Sequence, residues 1–108
     1  MNLDELQVPA WHYEAACNGH DSSFWFADRA SGGEAQALLN EGRRICLTCP
    51  VLRECLEAAM AAEGCLPHNM RAGIWGGLSG AERWALYRRR VNAERAAREA
   101  EKAAAGGA

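Results

Sequence analysis

Four of the five cysteines in this chain fall at Cys17, Cys46, Cys49 and Cys55, a C-x28-C-x2-C-x5-C spacing. Three thiols within ten residues, with one remote partner, is how a chain wraps a metal centre. A centre shared by all four would cross-link the N-terminal segment to the middle of the chain. That constraint weighs heavily because the chain has only 108 residues, one domain at most. From Glu94 onward it holds only Ala, Arg, Glu, Lys and Gly, so the packed part is shorter still. A core of this size is marginal on apolar burial alone, and much of its apolar fraction is alanine. Metal bound to an otherwise unfolded site would add folding free energy.

The net charge of −2 hides an asymmetry. Residues 1–78 carry 5 basic and 10 acidic side chains, a net of −5, whereas residues 79–108 carry 7 basic and 4 acidic, a net of +3. A basic tail on an acidic body points to a polyanion partner. The four tryptophans, Trp11, Trp25, Trp75 and Trp84, are many for so short a chain and suit interfaces as well as cores. No apolar run approaches a membrane span, and the acidic start Met-Asn-Leu-Asp-Glu-Leu lacks a signal-peptide pattern. A cytoplasmic location is therefore expected, where clustered cysteines mean metal or redox chemistry rather than structural disulfides.

The patterning predicts an all-α fold of about four helices. Residues 1–10 read as a flexible lead-in, residues 11–78 as the cysteine-bearing domain, and residues 79–108 as a basic C-terminal helix with a frayed tail. Trp11 to Cys17 reads as a short helix stopped by Asn18-Gly19. Residues 20–33 read as a loop carrying Phe24-Trp25-Phe26 and punctuated by Ser31-Gly32-Gly33. Ala35, Leu38, Leu39 and Ile45 share one face of a helix from about Glu34 to Arg44 or Cys46. Pro50 suits the first turn of the next helix, which runs to about Ala62 with Leu52, Cys55, Leu56 and Ala59 as its buried stripe. A loop from Gly64 to Gly77 follows. Ser79-Gly80-Ala81-Glu82 is a capping box, and Trp84, Tyr87 and Val91 form the apolar stripe of the last helix.

Two metal centres fit four thiolates. Zinc prefers close C-x2-C-like pairs, of which there is only one here. A cubane iron–sulfur cluster accepts three clustered ligands with a remote fourth, so the spacing favours it while leaving zinc, or four unrelated buried thiols, open. Cys65 lies outside the spacing and reads as a bystander. His12, His20 and His68 show no ligand spacing to one another. No catalytic triad, paired catalytic carboxylates or phosphate-cradling loop is evident, which argues against an enzyme. Gly73-Ile74-Trp75-Gly76-Gly77 reads as a tight turn presenting an indole, packed beneath the turn or lying at the surface beside the centre. The run Arg88-Arg89-Arg90, with Arg83, Arg95, Arg98 and Lys102, reads as a solvated basic face on the last helix.

Taken together, these residues resemble the WhiB-like family of actinobacterial transcription regulators. The likeness runs from Trp-x5-Cys at Trp11–Cys17 through Phe24-Trp25-Phe26, Cys46-Leu47-Thr48-Cys49-Pro50-Val51 and Cys55-Leu56. It continues to Gly73-Ile74-Trp75-Gly76-Gly77-Leu78-Ser79, Glu82-Arg83 and the arginine-rich helix, covering about residues 11 to 95. The resemblance implies one [4Fe–4S] cluster per chain on Cys17, Cys46, Cys49 and Cys55, reactive toward oxygen and nitric oxide, with disulfide formation in the apo form. It implies docking on the C-terminal domain of the principal sigma factor of RNA polymerase through Trp11, Trp25, Phe26 and Trp75. It implies DNA contact through the basic segment, here Arg88, Arg89, Arg90, Arg95 and Arg98. The chain would be a monomer or a heterodimer with sigma factor.

A buried four-thiolate cluster also needs N–H donors and nearby cations, for which Arg43, Arg44 and Arg53 are candidates. The tail lacks an Arg-Gly-Arg minor-groove hook, is alanine-rich and is interrupted by glutamates. Cys65 is a thiol the family pattern does not require. The rival readings are a thiol–disulfide oxidoreductase using Cys46 and Cys49 in the apo form, and a zinc-stapled adaptor.

Overall fold

The structure, a computed structural model, describes residues 9–27 and 32–106. The expected lead-in therefore lies almost wholly outside the described residues, as does Ser31. The described chain is helical, as the sequence implies. A 3-10 turn at Ala10–Glu14 leads to α1 (Ser23–Phe26), α2 (Gly33–Leu47) and α3 (Leu52–Glu63). A second 3-10 turn at His68–Met70 precedes the long α4 (Gly80–Gly106). No strand forms among the described residues. An isolated antiparallel bridge between Trp75 and Leu78 closes the glycine-rich turn.

Local chemistry accounts for most boundaries. The Asp21 carboxylate accepts the Ser23 backbone N–H at 2.9 Å, an Asx turn that starts α1. The three aromatics read as loop thus form a single helical turn. Their cohesion comes from α2 rather than from local propensity: Trp25 is 6% exposed and packs with Ile45 and Ile74. Gly42 makes that approach possible, because a Cβ there would collide with the Phe24 carbonyl. The segment read as a Trp11–Cys17 helix is shorter and tighter, ending at Glu14. Helix α3 begins at Leu52, two residues after Pro50, with Val51 as its N-cap.

The capping box at the start of α4 is realised in both directions. Glu82 Oε1 accepts the Ser79 N–H at 3.0 Å, and Ser79 Oγ accepts the Glu82 N–H at 3.2 Å. Glu82 also receives Arg43 of α2 at 3.0 Å, which ties the two helices together. Trp84 and Tyr87 stack at 5.4 Å and, with Val91, are half-buried as the stripe requires. From residue 92 onward every described residue of α4 is exposed, so the helix projects as an arm to Gly106.

Candidate metal centre and its flanking surfaces

Cys17, Cys46, Cys49 and Cys55 all line one cavity of about 220 Å³. Three elements bring them together. Cys17 follows the first 3-10 turn, Cys46 lies in the last turn of α2, Cys49 in the connection, and Cys55 in the first turn of α3. The rest of the wall is largely apolar and aromatic, including Trp11, Trp25, Phe26, Ile45, Ile74 and Trp75. Among the described residues, no three His, Cys, Asp or Glu side chains gather closely enough to grip a single ion. All four cysteines line the same cavity instead.

Nitrogen donors are aimed at the sulfurs. The Trp25 indole N–H is shared between Cys46 Sγ at 3.2 Å and the Gly42 carbonyl at 3.1 Å. The Ala16 backbone N–H reaches Cys49 Sγ at 3.4 Å. Burial pushes the Cys55 thiol up, the Gly76 backbone N–H draws it partly back, and the neighbouring cysteines push it further up. Cys17 follows the same balance, with burial leading. Such thiols hold their protons until a cation replaces them. N–H groups on sulfur are the donors that a thiolate-bound metal cluster requires, so the residues present fit such a group.

Gly76 shows how closely the turn is fitted. Its φ is +59°, and a Cβ there would meet the backbone of Leu56, one residue past Cys55. Glycine is therefore demanded by conformation and by contact at once. Trp75, beside it, stands 37% exposed. Its ring lies edge-on to Phe26 at 6.3 Å, and Phe26 is 48% exposed. Trp11 is half-buried, and Trp11 and Trp75 also flank a neighbouring groove over Ala58, Ala59 and Ala62 of α3.

Several expected site residues take different places. Trp25 does not share the exposed face with the other three aromatics, because it is in the core and supports that face from beneath. Arg43 and Arg44 are engaged by the carboxylates of Glu82 and Glu41, while Arg53 is exposed. Arg83 is the clearest correction. It is 0% exposed and no part of a solvated basic face. Its guanidinium is paired in a two-pronged fork with Glu63 of α3 at 2.8 and 2.7 Å. Arg90 is likewise forked onto Glu57, at 3.1 and 2.7 Å, although that pair is exposed. Arg88, Arg89, Arg95 and Arg98 remain at the surface of α4. Cys65 is exposed and apart from the cavity, and His20 lines it, edge-on to Trp25 at 6.0 Å.

The fold and site define a small helical protein with four cysteines about one cavity, an aromatic rim and a basic helical arm. A family profile described as "Transcription factor WhiB" matches residues 11–86. The chain is 38% identical over 85 residues to the transcriptional regulator WhiB1 of Bifidobacterium longum, covering 79% of this chain and 85% of that one. It is 39% identical over 83 residues to the transcriptional regulator WhiD of Streptomyces coelicolor, covering 76% and 69%. It is 35% identical over 82 residues to the redox-responsive transcriptional regulator WhiB3 of Mycolicibacterium smegmatis, covering 75% and 79%. The chain belongs to the WhiB family of transcription factors, as the cysteine pattern and the Gly-Ile-Trp-Gly-Gly turn imply. These relatives are regulators, in agreement with the reading of a protein that is not an enzyme. No helix among the described residues is long and apolar enough to cross a membrane.

Proposed function

We propose that the chain is a redox-responsive transcription regulator that holds a [4Fe–4S] cluster on Cys17, Cys46, Cys49 and Cys55. One observation carries this reading: four thiols line a single cavity of about 220 Å³ with N–H donors directed at their sulfurs. A zinc site draws four sulfurs to about 2.3 Å from one point. The C-x28-C-x2-C-x5-C spacing, with one close pair and a remote thiol, suits a polynuclear centre better. When bound, such a cluster supplies a one-electron redox centre whose potential responds to hydrogen bonding at sulfur and to solvent access. The chain's own residues set those terms here. Trp25 and Ala16 donate to Cys46 and Cys49, and Ile45, Ile74 and Trp25 give the inner wall its apolar lining.

In this reading Trp11, Phe26 and Trp75 form the face that docks on the C-terminal domain of the principal sigma factor. Exposed aromatics around a rigid centre make a compact hot spot for a partner. The basic arm then meets promoter DNA. Arg88, Arg89, Arg95 and Arg98 are free to neutralise phosphates, which gives salt-dependent affinity with little sequence reading. Promoter choice falls to the complex with sigma factor. Anaerobic co-expression with the sigma C-terminal domain, followed by iron and sulfide quantification of what co-purifies, tests the proposal. Four irons and four sulfides per complex are expected. A stoichiometric complex without iron, or a brown protein that leaves sigma factor unbound, defeats the corresponding half.

A further inference from the structure

We propose that Arg83 is a positioning residue that locks the turn carrying Trp75 to the start of α4, so that the aromatic face and the basic arm move as one body. What those two surfaces bind rests on the function proposed above; the coupling between them rests on geometry alone. Arg83 is 0% exposed, and all five of its N–H donors are used. Nε and Nη2 hold the two oxygens of Glu63. Nη1 holds the carbonyls of Gly73 and Leu78 at 2.8 and 2.7 Å, and Nη2 holds that of Ala72 at 3.1 Å. One guanidinium thus grips the turn on both sides of Trp75 and the last residue of α3 together.

Arg71 completes the arrangement. It is 3% exposed and donates to Glu63 Oε1 at 2.9 Å, to the Gly64 carbonyl at 2.7 Å and to the Leu66 carbonyl at 2.7 Å. Its guanidinium lies 5.6 Å from the centres of both the Trp84 and Tyr87 rings, so the same knot reaches the first turns of α4. The opposite edge of the turn faces the cysteines. Gly76 lies against Leu56, the residue after Cys55, and the Ile74 N–H donates to the Trp25 carbonyl at 2.8 Å. A displacement at Cys55 or Trp25 therefore reaches the turn through these contacts, and Arg83 passes it to α4.

Hydrogen–deuterium exchange on the full chain, isolated without oxygen, tests this with Arg83→Lys and Glu63→Gln. Lysine keeps the charge but offers three donors from one nitrogen, too few and too close together for five acceptor contacts. Amides 72–79 are expected to exchange about tenfold faster or more in Arg83→Lys, and by a smaller factor in Glu63→Gln, while α2 keeps its protection. Should Arg83→Lys not fold, Glu63→Gln alone decides. Unchanged exchange at 72–79 overturns the proposal, and so does an equal acceleration across α2, α3 and the turn, the mark of general destabilisation. Adding the sigma C-terminal domain supplies a second readout. In the wild-type chain its binding is expected to slow exchange at 80–90, and in Arg83→Lys it is not. Binding that leaves 80–90 unaffected in the wild type overturns the coupling. If the domain does not bind the wild-type chain at all, the docking reading fails, while the comparison at 72–79 still decides the role of Arg83.

Discussion

At its start, helix α3 contributes Cys55 to a cavity lined by four cysteines; at its end it contributes Glu63 to a knot between two buried arginines. The two regions solve the problem of buried polarity in opposite ways. The knot carries its own countercharges, and among the described residues no buried side-chain nitrogen or oxygen lacks a hydrogen-bond partner. The cavity carries thiols and neutral N–H donors, while Arg43 and Arg44 are turned to carboxylates of α4 and α2. On the function proposed above, chemistry at the cavity end depends on a cation from outside the chain. Geometry at the knot end does not. If the cavity holds a cluster as proposed, its loss is expected to leave in place the junction that seats the basic arm.

The most severe test of that contrast is Cys46→Ala. It is expected to abolish iron and sulfide binding and to remove exchange protection from α1 and α2, with the α3–α4 junction still protected. Loss of protection at Arg83 and its neighbours to the same degree would merge the two regions into one cooperative unit. Glu63→Ala attacks the other end. It leaves two buried guanidiniums without their carboxylate and is expected to cost about 3–5 kcal/mol in denaturant unfolding. A cost below about 1 kcal/mol would place the knot among surface ion pairs.

Acidification probes the same carboxylate more gently. Burial pushes Glu63 up, but the hydrogen bond and charge of Arg83, joined by Arg71, outweigh it and hold the carboxyl below its ordinary value of 4.5. The unfolded chain then takes up the proton first. Stability from this group is fully present above about pH 4.5 and falls as pH drops through the lower folded value. Glu63→Gln is expected to flatten that acid limb, as read from urea midpoints across pH 3–6 in wild type and variant. An acid limb of unchanged slope would assign it to other carboxylates.

The smallest effect is expected at Arg90. Its fork onto Glu57 is exposed, so Arg90→Ala is expected to change stability by no more than about 1 kcal/mol. It is also expected to lower DNA affinity less than Arg95→Ala does, because Arg90 already has a carboxylate partner. Equal losses, measured at matched salt, would return Arg90 to the phosphate-contacting set.

Much of the fold was legible because its signals are local. The stripe Leu52, Cys55, Leu56 and Ala59 turns inward as its 3.6-residue period requires. Ser79 and Glu82, three residues apart, form the cap that their identities announce. The first error came from α1, a four-residue helix whose stability lies in packing on α2 and which no periodicity can reveal in so short a run. The second came from charge. Arg83 and Arg88 look alike as letters in a basic run, yet the first is sealed inside and the second is exposed.

By itself the sequence determined the family, the helical class, the four cysteines and the glycine-rich turn, because spacing, periodicity and turn residues are written residue by residue. The tertiary structure alone decided that Trp25 lies beneath the aromatic face and that Glu63 holds Arg83 across twenty residues of chain. Those pairings depend on how residues 64–79 bring two helices together, and the energy of burying a charge exists only once its partner has arrived.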